Sequence, residues 1–309
     1  MIEEILKILP EHIAKQVGCI GSTEGICEIR LRVGRRGIVI ASNTEVLLEC
    51  IVSLKDLLDI LVSVSKNSIY AIQNDINNGF LVIDGGHRIG ICGEAVIQDL
   101  KIKNIKNINS MNIRVARQLL GCADKLMPYI LKNGVFGNTL IVSPPGCGKT
   151  TMLRDTIRQL SNGIKKLGFR GANVGLVDER GEIASVSLGK ASLDVGFRTD
   201  IISACPKAIG MEMLIRSMGI NIIATDEIGN ISDIEAIRMA SLSGISFIFT
   251  MHGRNFEDIE KKAGIKELLE NGLFENVVVL SNTKGPGTIE DIHKVSKNTK
   301  EVSRCLYLS

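Results

Sequence analysis

No stretch of this 309-residue chain supplies the run of about 18 apolar residues needed to span a bilayer. The best candidates, Ile245 to Met251 and Val277 to Leu280, are strand-sized. The opening MIEEILKILPEHIAKQV mixes acids and lysines with apolar residues at helical spacing, so it lacks a signal peptide's unbroken apolar core and is expected to form a surface helix. Charge of one sign is also lacking. The 37 Lys and Arg against 34 Asp and Glu leave a formal +3, too little for the dense basic face that holds nucleic acid or anionic membrane. One basic cluster, Arg30, Arg32, Arg35 and Arg36, has no interleaved aromatics, so it reads as a solvated strand face and not as a platform on which single strands stack. Eight cysteines include no C-x-x-C pair, and four isolated histidines complete no zinc pattern. Reduced thiols and a cytoplasmic chain are expected, with any membrane contact made through a partner.

What is present divides in two. The length exceeds one usual domain, so two cores are expected. In EIRLRVGRRGIVI, Ile29, Leu31 and Val33 share one face and Arg30 and Arg32 the other, which predicts a half-buried strand followed by a turn at Gly34 to Gly37. Ser53 opens a helix with Asp56 in its first turn, and a second helix is expected near 68–77. A strand at FLVI, a turn at Asp84-Gly85-Gly86 and a strand over 88–96 complete an α+β domain, 1–105. KIKNIKNINS (Lys101 to Ser110) is polar with Ile at every third place and reads as a connector, so a linker is drawn at 106–122. From 123 to 309 the pattern becomes strand–helix alternation: strands at 139–143, 173–178, 220–226 and 245–250, helices at 150–161, 206–218 and 232–242. Such alternation predicts an α/β fold with a mostly parallel sheet.

SPPGCGKTT, Ser143 to Thr151, follows an apolar strand and opens a helix, the context a phosphate loop requires. Ser143 stands where the first glycine of G-x-x-x-x-G-K-[ST] is usual. Pro144, Pro145, Gly146, Cys147 and Gly148 would present backbone N–H groups, and Lys149 would reach the β- and γ-phosphates. Thr150 would ligate Mg²⁺, with Thr151 beside it. Cys147 is expected to be a small filler whose useful part is its N–H.

Two apolar strands end in an Asp–Glu pair: LVDERGE, with Asp178 and Glu179, and NIIATDEIG, with Asp226 and Glu227. Asp226 lies 77 residues beyond Lys149 and would sit at the carboxyl edge of the sheet, beside the phosphate loop, to hold the Mg²⁺ shell. Glu227 would orient or deprotonate the attacking water. Asp226 to Gly229 also fits D-x-x-G, but no N-K-x-D follows, so ATP is expected over GTP. Ser232 and Glu235 are spaced as a capping box. The next strand ends at His252, where a polar residue can sense the γ-phosphate.

In order, the phosphate loop, LVDERGE, LIRSMGINIIATDEIG and FIFTMHG resemble the hexameric secretion-type ATPases that power type II and type IV secretion and pilus machines. The resemblance implies a RecA-like ATPase domain, with Asp178 and Glu179 matching an acidic box, Glu227 the Walker B glutamate and His252 a histidine box. This chain departs in having Asp226 where Gly is usual, and in the order of its Asp178-Glu179 pair, so which acid meets Mg²⁺ or water stays open. Arg88, Arg114 or Arg117, and Arg216 are implied as finger candidates, with Arg180 and Arg198 ranked below them. Also implied are a homohexamer working with MgATP, no membrane insertion, and docking on membrane proteins of one assembly, here a sporulation channel between mother cell and forespore. A nucleic-acid-dependent ATPase and a ring scaffold without turnover remain as alternatives.

Overall fold

Pro10 divides the N-terminal apolar pattern. A proline has no N–H to give a helix interior, and here it stands at the N-cap of the second of two helices, α1 (Ile2–Ile8) and α2 (Glu11–Gly18). The single surface helix expected there is therefore two short ones, with Ile5, Ile13 and Val17 fully buried. The computed structural model describes residues 2–20, 25–41, 44–65, 76, 79–98, 101–116, 118–187, 189–295 and 302–306. The chain divides into two units, Met1–Arg117 with Ser187–Ser192, and Gln118–Val186 with Leu193–Ser309.

The first unit continues with β1 (Ile26–Arg32), β2 (Arg36–Ala41), β3 (Thr44–Ile51), α3 (Leu54–Val64), β4 (Phe80–Val82), β5 (Arg88–Gln98) and β6 (Lys101–Arg114). The strands form one antiparallel sheet in the order β3-β2-β1-β6-β5-β4. As the alternation in EIRLR requires, Ile29 and Leu31 are buried, packing with Val39, Ile89, Ile113 and the helices. Ser53 caps α3: its hydroxyl accepts the Asp56 N–H, and the Asp56 carboxylate accepts the Ser53 N–H at 2.7 Å. The helix expected near 68–77 lies outside the described residues, apart from Ile76.

KIKNIKNINS is a strand, not a connector: it pairs with β5 from Gln98↔Lys101 to Arg88↔Arg114. The isoleucines concealed the two-residue period because β6 carries a bulge. Cys92 pairs with Ser110 but Glu94 with Lys106, so three residues of β6, with Asn107 at φ 46°, stand against Gly93 alone. The nine residues 106–114 drawn as linker thus belong to the first sheet.

The second unit opens with α4 (Met127–Ile130) and a small ribbon, β7 (Leu131–Lys132) and β8 (Val135–Phe136). It continues through β9 (Thr139–Ser143), α5 (Lys149–Asn162), β10 (Val174–Asp178), the short β11 (Val186–Ser187) and β12 (Lys190–Ala191), and β13 (Thr199–Ser203). Next come α6 (Lys207–Ser217), β14 (Ile222–Thr225), α7 (Ile231–Leu242), β15 (Ser246–His252), α8 (Phe256–Glu260), α9 (Ala263–Glu270), β16 (Asn276–Ser281), β17 (Thr288–Val295) and β18 (Val302–Leu306). The sheet order is β13-β10-β14-β15-β9-β16-β17-β18; the first six strands run parallel and the last two antiparallel. Parallel strands buried on both faces read as continuous apolar runs, and β9, β10 and β14 are buried at every residue. Their ends, with that of β15, lie along one carboxyl edge.

The cap of α7 differs from expectation. Asn230 accepts the Asp233 N–H at 2.8 Å, while Asp233 accepts the N–H groups of Gly229 and Asn230. The helix begins just before Ser232, so Ser232 and Glu235 are inside it and cannot cap it. Among the described residues no helix is long and apolar enough to cross a membrane.

Candidate nucleotide site

The turn after β9 leaves the sheet through Pro144 and Pro145 and reaches α5 by way of two left-handed glycines, Gly146 (φ 76°) and Gly148 (φ 82°). A side chain at Gly148 would also lack room, since its Cβ would lie 2.9 Å from the Gly287 nitrogen. The Gly287 N–H donates to the Cys147 carbonyl at 2.9 Å, which ties the loop to the segment between β16 and β17. Cys147 is buried and its thiol faces the Pro145 carbonyl, the filler position expected of it. The first N–H groups of α5, at Lys149, Thr150 and Thr151, have no carbonyl above them in the helix and point into the turn with the positive end of the helix dipole. Thr150 is half-buried in that first turn.

Lys149 is buried, and its ammonium donates to the carbonyls of Ser143 (3.2 Å) and Pro144 (3.4 Å). Burial pushes its pKa below the ordinary lysine value, against the pull of Glu227, Cys147 and Asp226. It also lies 3.0 Å from His252 Nδ1, and His252 Nε2 lies 2.7 Å from Glu227 Oε1. An ammonium can only donate, so Nδ1 accepts and the proton of a neutral ring sits on Nε2, donating to the carboxylate. Arg180 NH1 donates to the other oxygen, Glu227 Oε2, at 2.8 Å. A continuous chain, Lys149–His252–Glu227–Arg180, therefore crosses the carboxyl edge.

The sheet order places these groups. His252 pairs with Ser143 at the ends of adjacent strands, so β15 and not β14 neighbours the phosphate-loop strand. Asp226 ends β14, two strands from the phosphate-loop strand, and His252 on the strand between them contacts Lys149 on one side and Glu227 on the other. Asp226 is buried, and desolvation first, then Asp178, pushes its pKa up to about 6; Lys207 pulls the other way. Its carboxylate accepts no hydrogen bond from any described residue. Among the described residues no three His, Cys, Asp or Glu side chains converge as a metal site on their own.

Asp178 sits three strands from the phosphate-loop strand and faces its own chain. Its carboxylate accepts the N–H groups of Glu182 (2.9 Å), Ile183 (3.2 Å to either oxygen) and Ala184 (2.8 Å). From the helix side, Arg154 donates to the carbonyls of Glu182 (2.6 Å) and Ile183 (2.5 Å). Asp178 fixes the loop after β10 and has no oxygen left for other work. Glu179 is ion-paired with the buried Lys207.

The finger candidates lie apart from this chain of contacts or in the other unit. Within the first unit, the Arg88 guanidinium stacks 4.2 Å over Phe80, and Arg114 Nε is 3.6 Å from Glu28 Oε1. Arg117 falls outside the described residues. Arg216 ends α6 in an exposed pair with Glu212 (2.6 Å), at the other end of that helix from Lys207. The arginine at Glu227 is Arg180, ranked low from sequence, while Arg198 stacks on Phe197 and donates to the Ser161 carbonyl. Sequence reading missed Arg154, Lys207 and Thr250, whose hydroxyl accepts the Glu227 N–H at 2.8 Å. Lys207 carried a signal: a cation on the first turn of a helix opposes the dipole and calls for an acid nearby.

Two solved structures share this architecture. The ATPase DotB of Yersinia pseudotuberculosis matches with TM-score 0.61 at 14% identity, over 95% of this chain and 82% of that one. The pilus retraction motor PilT, solved with ADP, matches with TM-score 0.58 at 15% identity, over 89% and 77%. Both bear out the fold expected from the motifs, that of RecA-like secretion ATPases. In sequence the chain is 37% identical to the stage III sporulation protein AA of Bacillus subtilis (strain 168) over 299 residues, 96% of each. The profile of the family described as "Sporulation stage III, protein AA" spans residues 2–299. With so much of its length matched, the chain belongs to the sporulation stage III protein AA family.

Proposed function

We propose that this protein binds and hydrolyses MgATP as a secretion-type motor, and that Glu227 is the general base. The observation that carries the reading is the contact chain Lys149–His252–Glu227 at the mouth of a phosphate loop. It joins the group that would hold the γ-phosphate to the one that would take a proton.

The residues fit the ligand. The loop offers helix-end N–H groups, one lysine and the Thr150 hydroxyl, and Asp226 adds an oxygen donor on the same sheet edge with none of its capacity taken by donors among the described residues. That donor set suits a small oxygen-seeking cation that takes its remaining ligands from phosphate and water. Bound Mg²⁺ would neutralise charge on the β- and γ-oxygens. Lys149 turns from its loop carbonyls to the phosphates. His252, relieved of the lysine, keeps Glu227 oriented through Nε2. Glu227 accepts the proton of the attacking water, and Arg180, exposed and held only at its tip, is free to move toward the anionic charge. Asp178 and Glu179 act indirectly, by fixing the loop that carries Arg180.

Glu227→Gln tests the reading. Phosphate release should fall about 10²- to 10⁴-fold while nucleotide binding stays near the parent value. Unchanged turnover would remove Glu227 from the mechanism. The wider reading, a homohexamer that drives a sporulation channel between mother cell and forespore through membrane partners, is supported by the fold it shares with DotB and PilT and by the name of its Bacillus relative. Particle mass with and without MgATP checks the ring; a monomer under saturating nucleotide counts against it.

A further inference from the structure

We infer that Thr250 is a positioning residue for the reaction: its hydroxyl and its carbonyl together hold Glu227 in the backbone conformation that aims the carboxylate. The inference rests on the reading of Glu227 as the base. Glu227 has φ 48°, in the left-handed region that residues with a Cβ rarely occupy. Something must hold it there, and both peptide groups that flank its Cα end on one residue. The Glu227 N–H donates to Thr250 Oγ1 at 2.8 Å, and the Ile228 N–H donates to the Thr250 carbonyl at 2.9 Å. These two peptide planes define φ and ψ of Glu227, so fixing both fixes the residue.

The strand register explains why a hydroxyl is needed. β14 pairs with β15 as far as Thr225↔Phe249, and one residue later the regular ladder stops. Thr250 is the next residue on β15 and fully buried. Its side-chain oxygen takes the N–H that a ladder carbonyl would have taken, and the chain can turn out of the sheet without stranding a buried donor. Thr250 and His252 are two apart on one strand and so face the same side. One strand end therefore sets the Glu227 backbone with Thr250 and its carboxylate with His252.

Thr250→Val keeps the branched shape and removes the acceptor; Thr250→Ser keeps the acceptor. Misplacing a reacting group by about 1 Å can lower rate by roughly 10². The expected result for Thr250→Val is therefore a 10- to 100-fold lower kcat, nucleotide Kd within about 3-fold of the parent, and faster amide exchange across 226–229 by mass spectrometry, with Thr250→Ser restoring all three. Should Thr250→Val fail to fold, Thr250→Ala, which crowds nothing, carries the same measurements. A valine enzyme with parental kcat and parental exchange overturns the inference. If Glu227→Gln retains full turnover, the base assignment falls instead, and the exchange measurement still decides whether Thr250 holds this backbone.

Discussion

The two acidic strand ends, Val-Asp178-Glu179 and Thr-Asp226-Glu227, are nearly the same text and have opposite environments. The Asp178 carboxylate is saturated by N–H groups of residues 182–184. Asp226 receives none from the described residues and is pushed up to about 6. The difference arises in the next few residues. After Asp178 the chain turns back through Gly181 (φ 65°) and presents its amides to the acid it has just left. After Asp226 the next two N–H groups go to Thr250, and those of Gly229 and Asn230 are taken by the Asp233 carboxylate, the cap of α7. A short acidic motif does not assign its own role; the destination of the following amides does.

Exchanging the glutamates should show the largest contrast. Glu227→Gln lowers turnover by about 10²- to 10⁴-fold, whereas Glu179→Gln, which removes only an ion pair with Lys207, lowers it less than about 10-fold in the same phosphate-release assay. Next in size is a stability effect on the other strand. Asp178→Ala strands several buried N–H groups and should cost about 3–5 kcal/mol in urea unfolding. Asp226→Asn should act in the opposite direction when magnesium and nucleotide are left out. Below about pH 3 Asp226 is protonated whether folded or not, so the variant gains nothing. Between about 4 and 6 the folded state keeps a proton that the unfolded state has released, so stability falls as pH rises, and above 6 the penalty is complete. The variant should therefore unfold at higher temperature than the parent at pH 7.5, by the equivalent of about 2–3 kcal/mol, and at the same temperature as the parent below about pH 3. Smallest is Arg180→Ala: the pair it breaks is exposed on the arginine side, so stability should change by less than about 1 kcal/mol. A larger loss in thermal unfolding would make Arg180 structural.

Much of this was legible in the sequence where chemistry fixes the residue types. β9, β10, α5, α6 and β15 fall within two residues of expectation, because buried parallel strands and phosphate loops leave continuous apolar runs and fixed glycines. The placement of the phosphate loop between β9 and α5, and of His252 at the end of β15, was readable for the same reason. What was not legible depends on contacts distant in sequence. The bulge at Asn107 disguised β6, and the Asn230–Asp233 cap displaced the expected Ser232–Glu235 one. Arg180 meets Glu227 from 47 residues away and Thr250 meets it from 23, through strand neighbours that no local pattern announces.

The bond from Gly287 to Cys147, with Gly148 packed against the Gly287 backbone, also bears on where this chain can be shortened. The phosphate-loop sequence, both acidic strand ends and the histidine strand are all in place by residue 253, so a shorter fragment ending after β15 or β16 would look complete by motif count. It would nonetheless lose the Gly287 N–H that holds the Cys147 carbonyl and the backbone packed against Gly148, and so the floor under the phosphate loop. Bulky grafts between β16 and β17 would press on the same floor, so sensor labels or affinity tags in that connection should read out, and disturb, the phosphate loop.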